Sequence, residues 1–387
     1  MKAIAFSFCL LAGLIIFPLA AQSVWPTATP AAVGLNAKVL DAFDADIAAG
    51  KYGNVDGMLV IRRGKVAYER SYKHDYKVIY GGAAQKPSAL NPNDPSGPYN
   101  YFNPFWHPYY RGEDLHTLQS VTKTVTSIVI GTAVTRHEFP ALDTPVLSFF
   151  DTAKVANVDA RKRSMTVRHL LTMTAGLDWN EGLPYSDPQN TGSQMEAAFD
   201  WVQYTIDRKM AVEPGKLFIY NSGATQLLAH IFRKATGRDI EEYAMEHLFA
   251  PLGIDRYYWK RTPTGLIDTE GGLYLTPRDL AKLGYLYLQD GLWEGKQIVE
   301  SAFVKASITP SIDVGRGGQK YGYKWWLRPY GKEGRMSFGG SGFGGQIPIV
   351  VPELDLVLVF TGWNILPGGP SLSATVATER VIAAVVH

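Results

Sequence analysis

Short runs with strand character lie near both ends of this 387-residue chain, with mostly helical periodicity between them. Near the start, Met58-Leu59-Val60-Ile61 and Lys65-Val66-Ala67-Tyr68 flank Arg62-Arg63-Gly64. Two apolar runs around a tight glycine-containing turn predict a β-hairpin. Near the other end come strand-like runs at 323–327, 346–351 and 356–361, with Pro352-Glu353-Leu354-Asp355 forming the last turn. Such an arrangement predicts an α/β chain of the α+β type. An antiparallel sheet is built from both termini and flanked by helices, with a mainly helical region inserted.

Residues 36–49 have helical spacing, with Val39, Leu40, Phe43 and Ile47 on one face. Further helices are expected at 120–135, 167–173, 194–208, 223–236, 240–248, 277–289, 299–307 and 371–386. Residues 81–111 are rich in Pro, Gly, Asn and Tyr and read as an irregular excursion. Its aromatic side chains argue for a packed loop at the rim of a site, since loops this long in compact proteins are usually functional or disordered. The expected organisation is a leader at 1–21 and one domain at 22–387. Residues 33–115 and 310–387 form its α/β part, and 116–309 its helical part.

The leader is read from Lys2, an apolar stretch from Ala3 to Leu19, and then Ala20, Ala21, Gln22 and Ser23. A basic end, an apolar region and small residues near a cut describe a secretory signal peptide, so a periplasmic or secreted protein is expected. The Ala-x-Ala pattern is not clean, and an uncleaved membrane anchor is the alternative. Cys9 is the only cysteine and lies inside this segment, so no disulfide or thiol chemistry is expected beyond it. The net charge of +2 implies neither nucleic acid nor an anionic surface as a partner.

Chemistry is concentrated in three places. Ser120 and Lys123 form Ser-x-x-Lys at the head of a predicted helix, where residues three apart share a face. A serine needs a neighbour that can take its proton. Chance alone supplies about one such pattern in a chain of this length, so its weight depends on the residues downstream of it and their order. Tyr220, in Ile219-Tyr220-Asn221-Ser222-Gly223, sits in a turn entering a helix. A nearby ammonium would favour its phenolate, and an ordinary half-buried tyrosine is the competing reading. Phe338-Gly339-Gly340-Ser341-Gly342-Phe343-Gly344-Gly345-Gln346 precedes a strand. Glycines there let backbone N–H groups approach a developing oxyanion. Gly340, Gly342 and Gly345 also satisfy Gly-x-Gly-x-x-Gly, but a strand comes next where a dinucleotide site needs a helix. No Gly-x-Ser-x-Gly surrounds any serine, which argues against the α/β-hydrolase fold. No His-Glu-x-x-His or Cys/His cluster occurs, so a metal hydrolase is not expected, and no cofactor is expected either. His169 reads as a capping or core residue.

In this order the three elements resemble the serine β-lactamase and penicillin-binding-protein superfamily. Within it, they resemble the class C β-lactamase-like branch, with its carboxylesterases of β-lactamase fold and 6-aminohexanoate-dimer hydrolases. The resemblance covers roughly residues 33–385. It includes Arg168-His169-Leu170-Leu171-Thr172-Met173-Thr174-Ala175-Gly176-Leu177 and Val351-Pro352-Glu353-Leu354-Asp355-Leu356-Val357. It implies a β-lactamase-like fold, with Ser120 as acylated nucleophile, Lys123 in its proton network and Tyr220 as base and leaving-group acid. The oxyanion donors would be the N–H of Ser120 and that of Phe343, in the Gly340-Ser341-Gly342-Phe343 segment.

The chain departs from the family twice. Position 222 is Ser where the family's Tyr motif ends in Asn, and Gly340-Ser341-Gly342 replaces Lys-Thr-Gly. Tyr101-Phe102-Asn103 has the motif's form but precedes the serine and is treated as coincidence. In β-lactamases the lost lysine helps hold a substrate carboxylate, so its absence favours a small ester or amide as substrate over an anionic β-lactam. A β-lactamase or D-Ala peptidase of the same fold, and a non-hydrolytic acylated sensor, are the alternatives. Residues 177–187 are similar to a lid of that branch, where Tyr185 would contact the scissile amide. An ordinary surface-loop tyrosine is the competing reading.

Overall fold

The computed structural model describes residues 25–92 and 94–386. The leader expected at 1–21 lies outside these residues, and no described helix is long and apolar enough to cross a membrane. The largest sheet has eight antiparallel strands. In chain order they are β1 (Val55–Arg62), β2 (Lys65–Ser71), β3 (Ile312–Asp313), β4 (Lys320–Tyr321), β5 (Trp326–Tyr330), β6 (Arg335–Gly339), β7 (Ile347–Val351) and β8 (Leu356–Gly362). Across the sheet they run β2-β1-β8-β7-β6-β5-β4-β3. The expected hairpin is β1–β2, turned by Arg63 and Gly64 at φ 53° and 68°, the left-handed pair that a two-residue hairpin loop requires. The two ends of the sequence meet where β1 lies against β8, with Leu59 opposite Val359.

Every residue of β1 and β8 is buried, because helices cover both faces of the sheet. Side chains alternate between two cores. Met58 and Val60 join Leu358 and Phe360 against Leu40 and Phe43 of the helix Ala37–Ala48 and Val381 of the helix Ala374–Ile382. Leu59, Ile61, Val357 and Val359 face the main core, with the helices Val121–Thr135 and Pro277–Leu288. Each such aliphatic side chain contributes roughly 1.5–3 kcal/mol. The helix Val121–Thr135 is buried on all sides through Ala133. Its threonines tolerate this by donating to backbone, as Thr124 does to Lys324 O (2.8 Å) and Thr126 to Thr269 O (3.0 Å).

Several expected boundaries move. The excursion begins later than residue 81, because Tyr76–Ala84 is helical and capped by Asp75. The helix expected at 194–208 is two, Thr191–Ala197 and Trp201–Ile206, each started by its own cap, Asn190 and Asp200. The segment 240–248 is a helical turn at Ile240–Ala244 that widens into a π-helix at Met245–Phe249. The strand expected at 323–327 starts at Trp326, since Lys324 turns the chain at φ 62°. β6 was not anticipated; Arg335 and Met336 are exposed, so the run lacks a strand's apolar pattern. His169 is a cap: its Nδ1 accepts from the Thr166 N–H at 3.1 Å.

Candidate active site

The serine turn is held between two elements. His116–Thr117 pairs with Leu273–Leu275 in a small second sheet, and Leu118 N–H donates to Leu273 O at 2.8 Å. Gln119 then adopts φ 46°, unusual for a side chain of its size, and its amide donates to Thr117 Oγ1 (2.9 Å). This kink leaves Ser120 at the head of the buried helix, exposed to a cleft of about 470 Å³. Strain of this kind persists only where the surroundings over-determine it.

Lys123 is fully buried one turn on, and its three N–H donors have three acceptors. They reach Ser120 Oγ (2.9 Å), Glu270 O (2.7 Å) and Glu270 Oε2 (2.9 Å). Burial alone would lower its pKa, but the charge of Glu270, followed by Tyr220 and Glu181, holds it above lysine's ordinary value. Lys123 is therefore an ammonium at neutral pH, a source of field and hydrogen bonds. Its Nζ lies 5.3 Å from the Tyr220 ring centre. Burial pushes the Tyr220 phenol up, while Lys123 and a hydrogen bond from Ser120 pull it back part of the way. Tyr220 also stacks on Trp326, with ring centres 6.0 Å apart.

Sequence reasoning missed Glu270. Its carboxyl is pushed up by burial but pulled further down by Lys123, so it stays ionised. Beneath it, burial and the charge of Glu270 push the Glu196 carboxyl well up, so Glu196 holds a proton between Glu270 and Tyr101, whose hydroxyl donates to it at 2.8 Å. Tyr101-Phe102-Asn103 thus reaches the site through its tyrosine, from behind. Asp268 positions Glu270 by accepting from its N–H (3.1 Å) and that of Gly271 (2.9 Å), with Lys260 at 3.7 Å. An acidic pair before two glycines, Asp268-Thr269-Glu270-Gly271-Gly272, was the available signal.

Glu181, on the expected lid, ties that segment to the tyrosine turn. It accepts from Ser222 N–H (2.7 Å), Ser222 Oγ (2.6 Å), Trp179 Nε1 (2.5 Å) and Tyr185 OH (2.8 Å). Ser222, where the family pattern has Asn, is thus fully engaged. Tyr185 lines the cleft with its ring 5.0 Å from that of Phe343.

The glycine segment forms the opposite wall. Gly342 N–H donates to Gln346 O (2.8 Å), and a Cβ on Gly342 would sit 2.4 Å from Leu118 O. Only glycine lets this strand end press against the serine turn. Ser120 and Phe343 both line the cleft, and among the described residues neither N–H has a backbone or side-chain acceptor. Two free donors beside a hydroxyl suit an oxyanion. Ser341 is exposed at the cleft mouth, and Gly340 sits behind the wall, its N–H donating to Pro348 O at 3.0 Å.

Known proteins are similar to this chain in sequence and in fold. The chain is 26% identical over 275 residues to a 6-aminohexanoate-dimer hydrolase of Paenarthrobacter ureafaciens, covering 65% of this chain and 68% of that protein. Over 111 residues it is 32% identical to a monacolin J acid methylbutanoyltransferase of Aspergillus terreus, a match spanning 28% of this chain and 27% of that protein. Its fold is similar to that of EstCE1, a hydrolase with promiscuous acyltransferase activity, with TM-score 0.64 at 15% identity over 90% of this chain and 97% of that one. The family model described as Beta-lactamase matches residues 43–362, and the chain belongs to that family of hydrolases.

Proposed function

We propose that this protein is a serine hydrolase that cleaves a small ester or amide through an acyl-enzyme on Ser120. The observation that carries this reading is the meeting of Ser120, Lys123 and Tyr220 at a cleft with two unclaimed backbone donors. Ser120 Oγ attacks the carbonyl carbon as its proton passes to Tyr220, and the carbonyl oxygen takes the N–H groups of Ser120 and Phe343. Tyr220 then protonates the departing alcohol or amine, and water, deprotonated the same way, releases the acid. Lys123 stays an ammonium throughout and stabilises negative charge on both oxygens. Forming an ordinary phenolate of pKa about 10 at pH 7 costs about 4 kcal/mol, and the Tyr220 phenol, held above that value by burial, costs more. A barrier of about 16 kcal/mol, typical of a turnover near 10 per second, accommodates that. The leader expected at 1–21 adds the proposal that it works in the periplasm or outside the cell.

The test is intact-mass analysis after exposure to a neutral aryl phosphonate. One adduct per chain is expected, absent in Ser120→Ala. Equal labelling of the two proteins would sink the mechanism.

A further inference from the structure

Lys324 is a buried titratable side chain that the mechanism leaves unused. It is 1% exposed, and among the described residues no carboxylate lies within ion-pairing distance of it. Its Nζ donates to Met173 Sδ at 3.4 Å, and a thioether is a weak acceptor for an ammonium. An isolated charge in such a place is so unfavourable that the group sheds it instead. Burial and the nearby charge of Lys123 push the amine well below lysine's ordinary value, with Glu181 pulling the other way. Two lysines of opposite character therefore meet here: Lys123, paired with Glu270, is an ammonium, and Lys324 is a neutral amine.

The sulfur that Lys324 binds is also the support of the tyrosine turn. Met173 Sδ accepts from Asn221 N–H at 3.4 Å, and Met173 O accepts from Ile219 N–H at 2.9 Å. The residues on both sides of Tyr220 thus hang on one methionine, which packs with Tyr220, Tyr321 and Trp326 in one cluster. Met173 and Lys324 hold φ at 58° and 62°, the left-handed region that long side chains rarely adopt. Leu171 O pins Lys324 there by accepting its N–H at 3.0 Å, and the Thr124 hydroxyl does so by donating to Lys324 O at 2.8 Å. Strain of this kind gathers at functional sites, and here two strained residues touch beneath the proposed base.

From this geometry, and resting on the hydrolase reading above, we propose that Lys324 is a positioning residue for Tyr220: its uncharged amine completes the Met173 clamp, and taking up a proton releases it. An ammonium there would feel Lys123 from the serine helix and Glu181 from the lid. Tyr220 and Tyr321, from the tyrosine turn and β4, are pushed up by burial and are neutral at rest. Met173 and Trp326, which complete the cluster, do not titrate. Glu181 already accepts from Trp179, Tyr185 and Ser222. A protonated Lys324 must therefore leave the sulfur or draw Glu181 away from Ser222, and either change frees the turn that holds Tyr220.

The test follows the rate of Ser120 labelling by the neutral aryl phosphonate in the parent and in Lys324→Met, which is similar in length and cannot titrate. At pH 8 the variant should label about two- to tenfold more slowly, through the maximal rate rather than the affinity, as expected for one lost hydrogen bond. As pH falls and the parent's amine takes up its proton, the variant-to-parent ratio should climb, by up to about tenfold per pH unit. Titrations common to both chains, such as that of Asp268, cancel in this ratio. Urea midpoints give a second readout. The folded-state value of the amine is lowered, so the parent loses stability as pH falls below the unfolded value of about 10.4, and Lys324→Met does not. The variant's midpoint should therefore gain on the parent's between pH 10 and pH 7. Lys324→Gly, at a φ that glycine adopts freely, covers the case in which the methionine variant does not fold. A labelling rate at pH 8 equal to the parent's, a ratio flat from pH 8 to pH 4.5, or no gain in midpoint would overturn the proposal. Ser120 unlabelled in the parent refutes the hydrolase, whereas a labelled parent with a flat ratio refutes the role of Lys324 alone.

Discussion

Glu270→Gln removes the one carboxylate that, among the described residues, touches Lys123, and leaves the shape of the site almost unchanged. In the parent, Lys123 is a fully buried ammonium whose ion pair with Glu270 spans 2.9 Å. Removing one partner of such a pair costs roughly 3–5 kcal/mol. The variant can instead shed the lysine proton, but from an ordinary pKa of about 10.4 that costs about 5 kcal/mol at pH 7. The glutamine oxygen still accepts from Lys123, and the bond to the carbonyl of residue 270 survives, which places the expected loss near the lower end, about 3 kcal/mol. Its pH dependence is also defined. The folded-state pKa of Glu270 is lowered, so its contribution is present above the unfolded value of about 4.3 and lost as pH falls through the folded one. Lys123 is raised, so its share is present below about 10.4 and lost only as pH rises through its folded value. Urea unfolding should therefore show the full deficit from pH 5 to 9 and a smaller one at pH 3.5. Turnover should fall with it, because a less firmly charged Lys123 stabilises the Tyr220 phenolate less. A deficit under about 1 kcal/mol at pH 7, or one equally large at pH 3.5, would refute the reasoning.

Two further perturbations probe the wall and the buried acids. Gly342→Ala puts a methyl 2.4 Å from the Leu118 carbonyl, a backbone atom that cannot swing away. The Phe343 N–H should be displaced, lowering kcat by about 10²–10³ with little change in KM, and a drop of less than threefold counts against Phe343 as an oxyanion donor. Asp268, raised to about 6 by burial and the charge of Glu270, contributes stability that is full below its unfolded pKa and lost as pH rises through 6. Urea midpoints should therefore climb from pH 7 to pH 4, by at most about 1.4 kcal/mol per pH unit, and Asp268→Asn should flatten that climb.

Legibility in the sequence tracked the range of the interaction involved. The β1–β2 hairpin could be read because its turn and both strands lie within seventeen residues, Val55 to Ser71. Ser120 and Lys123 could be read because three residues on a helix define their geometry, and Tyr220 and the glycine segment because their order matched a known pattern. Glu270 was missed for the opposite reason. It lies 147 positions from Lys123, and the acidic pair Asp268 and Glu270 before two glycines carries nothing local that ties it to a lysine so distant. The Thr191–Ala197 and Trp201–Ile206 break was hidden by two good caps inside an otherwise helical pattern.

The pairing of β1 with β8 also dictates when the proposed site can first be complete. Leu59 and Val359 are 300 positions apart, so during synthesis β1 waits, with one edge open, while the intervening chain is made. Contacts this distant in sequence slow folding and expose strand edges to misassembly. The Phe343 N–H reaches the Ser120 turn only through β6 and β7, whose neighbour is β8. A nascent chain can therefore build the serine helix early and still lack one of the two backbone donors proposed for the oxyanion until residues 356–362 have joined the sheet.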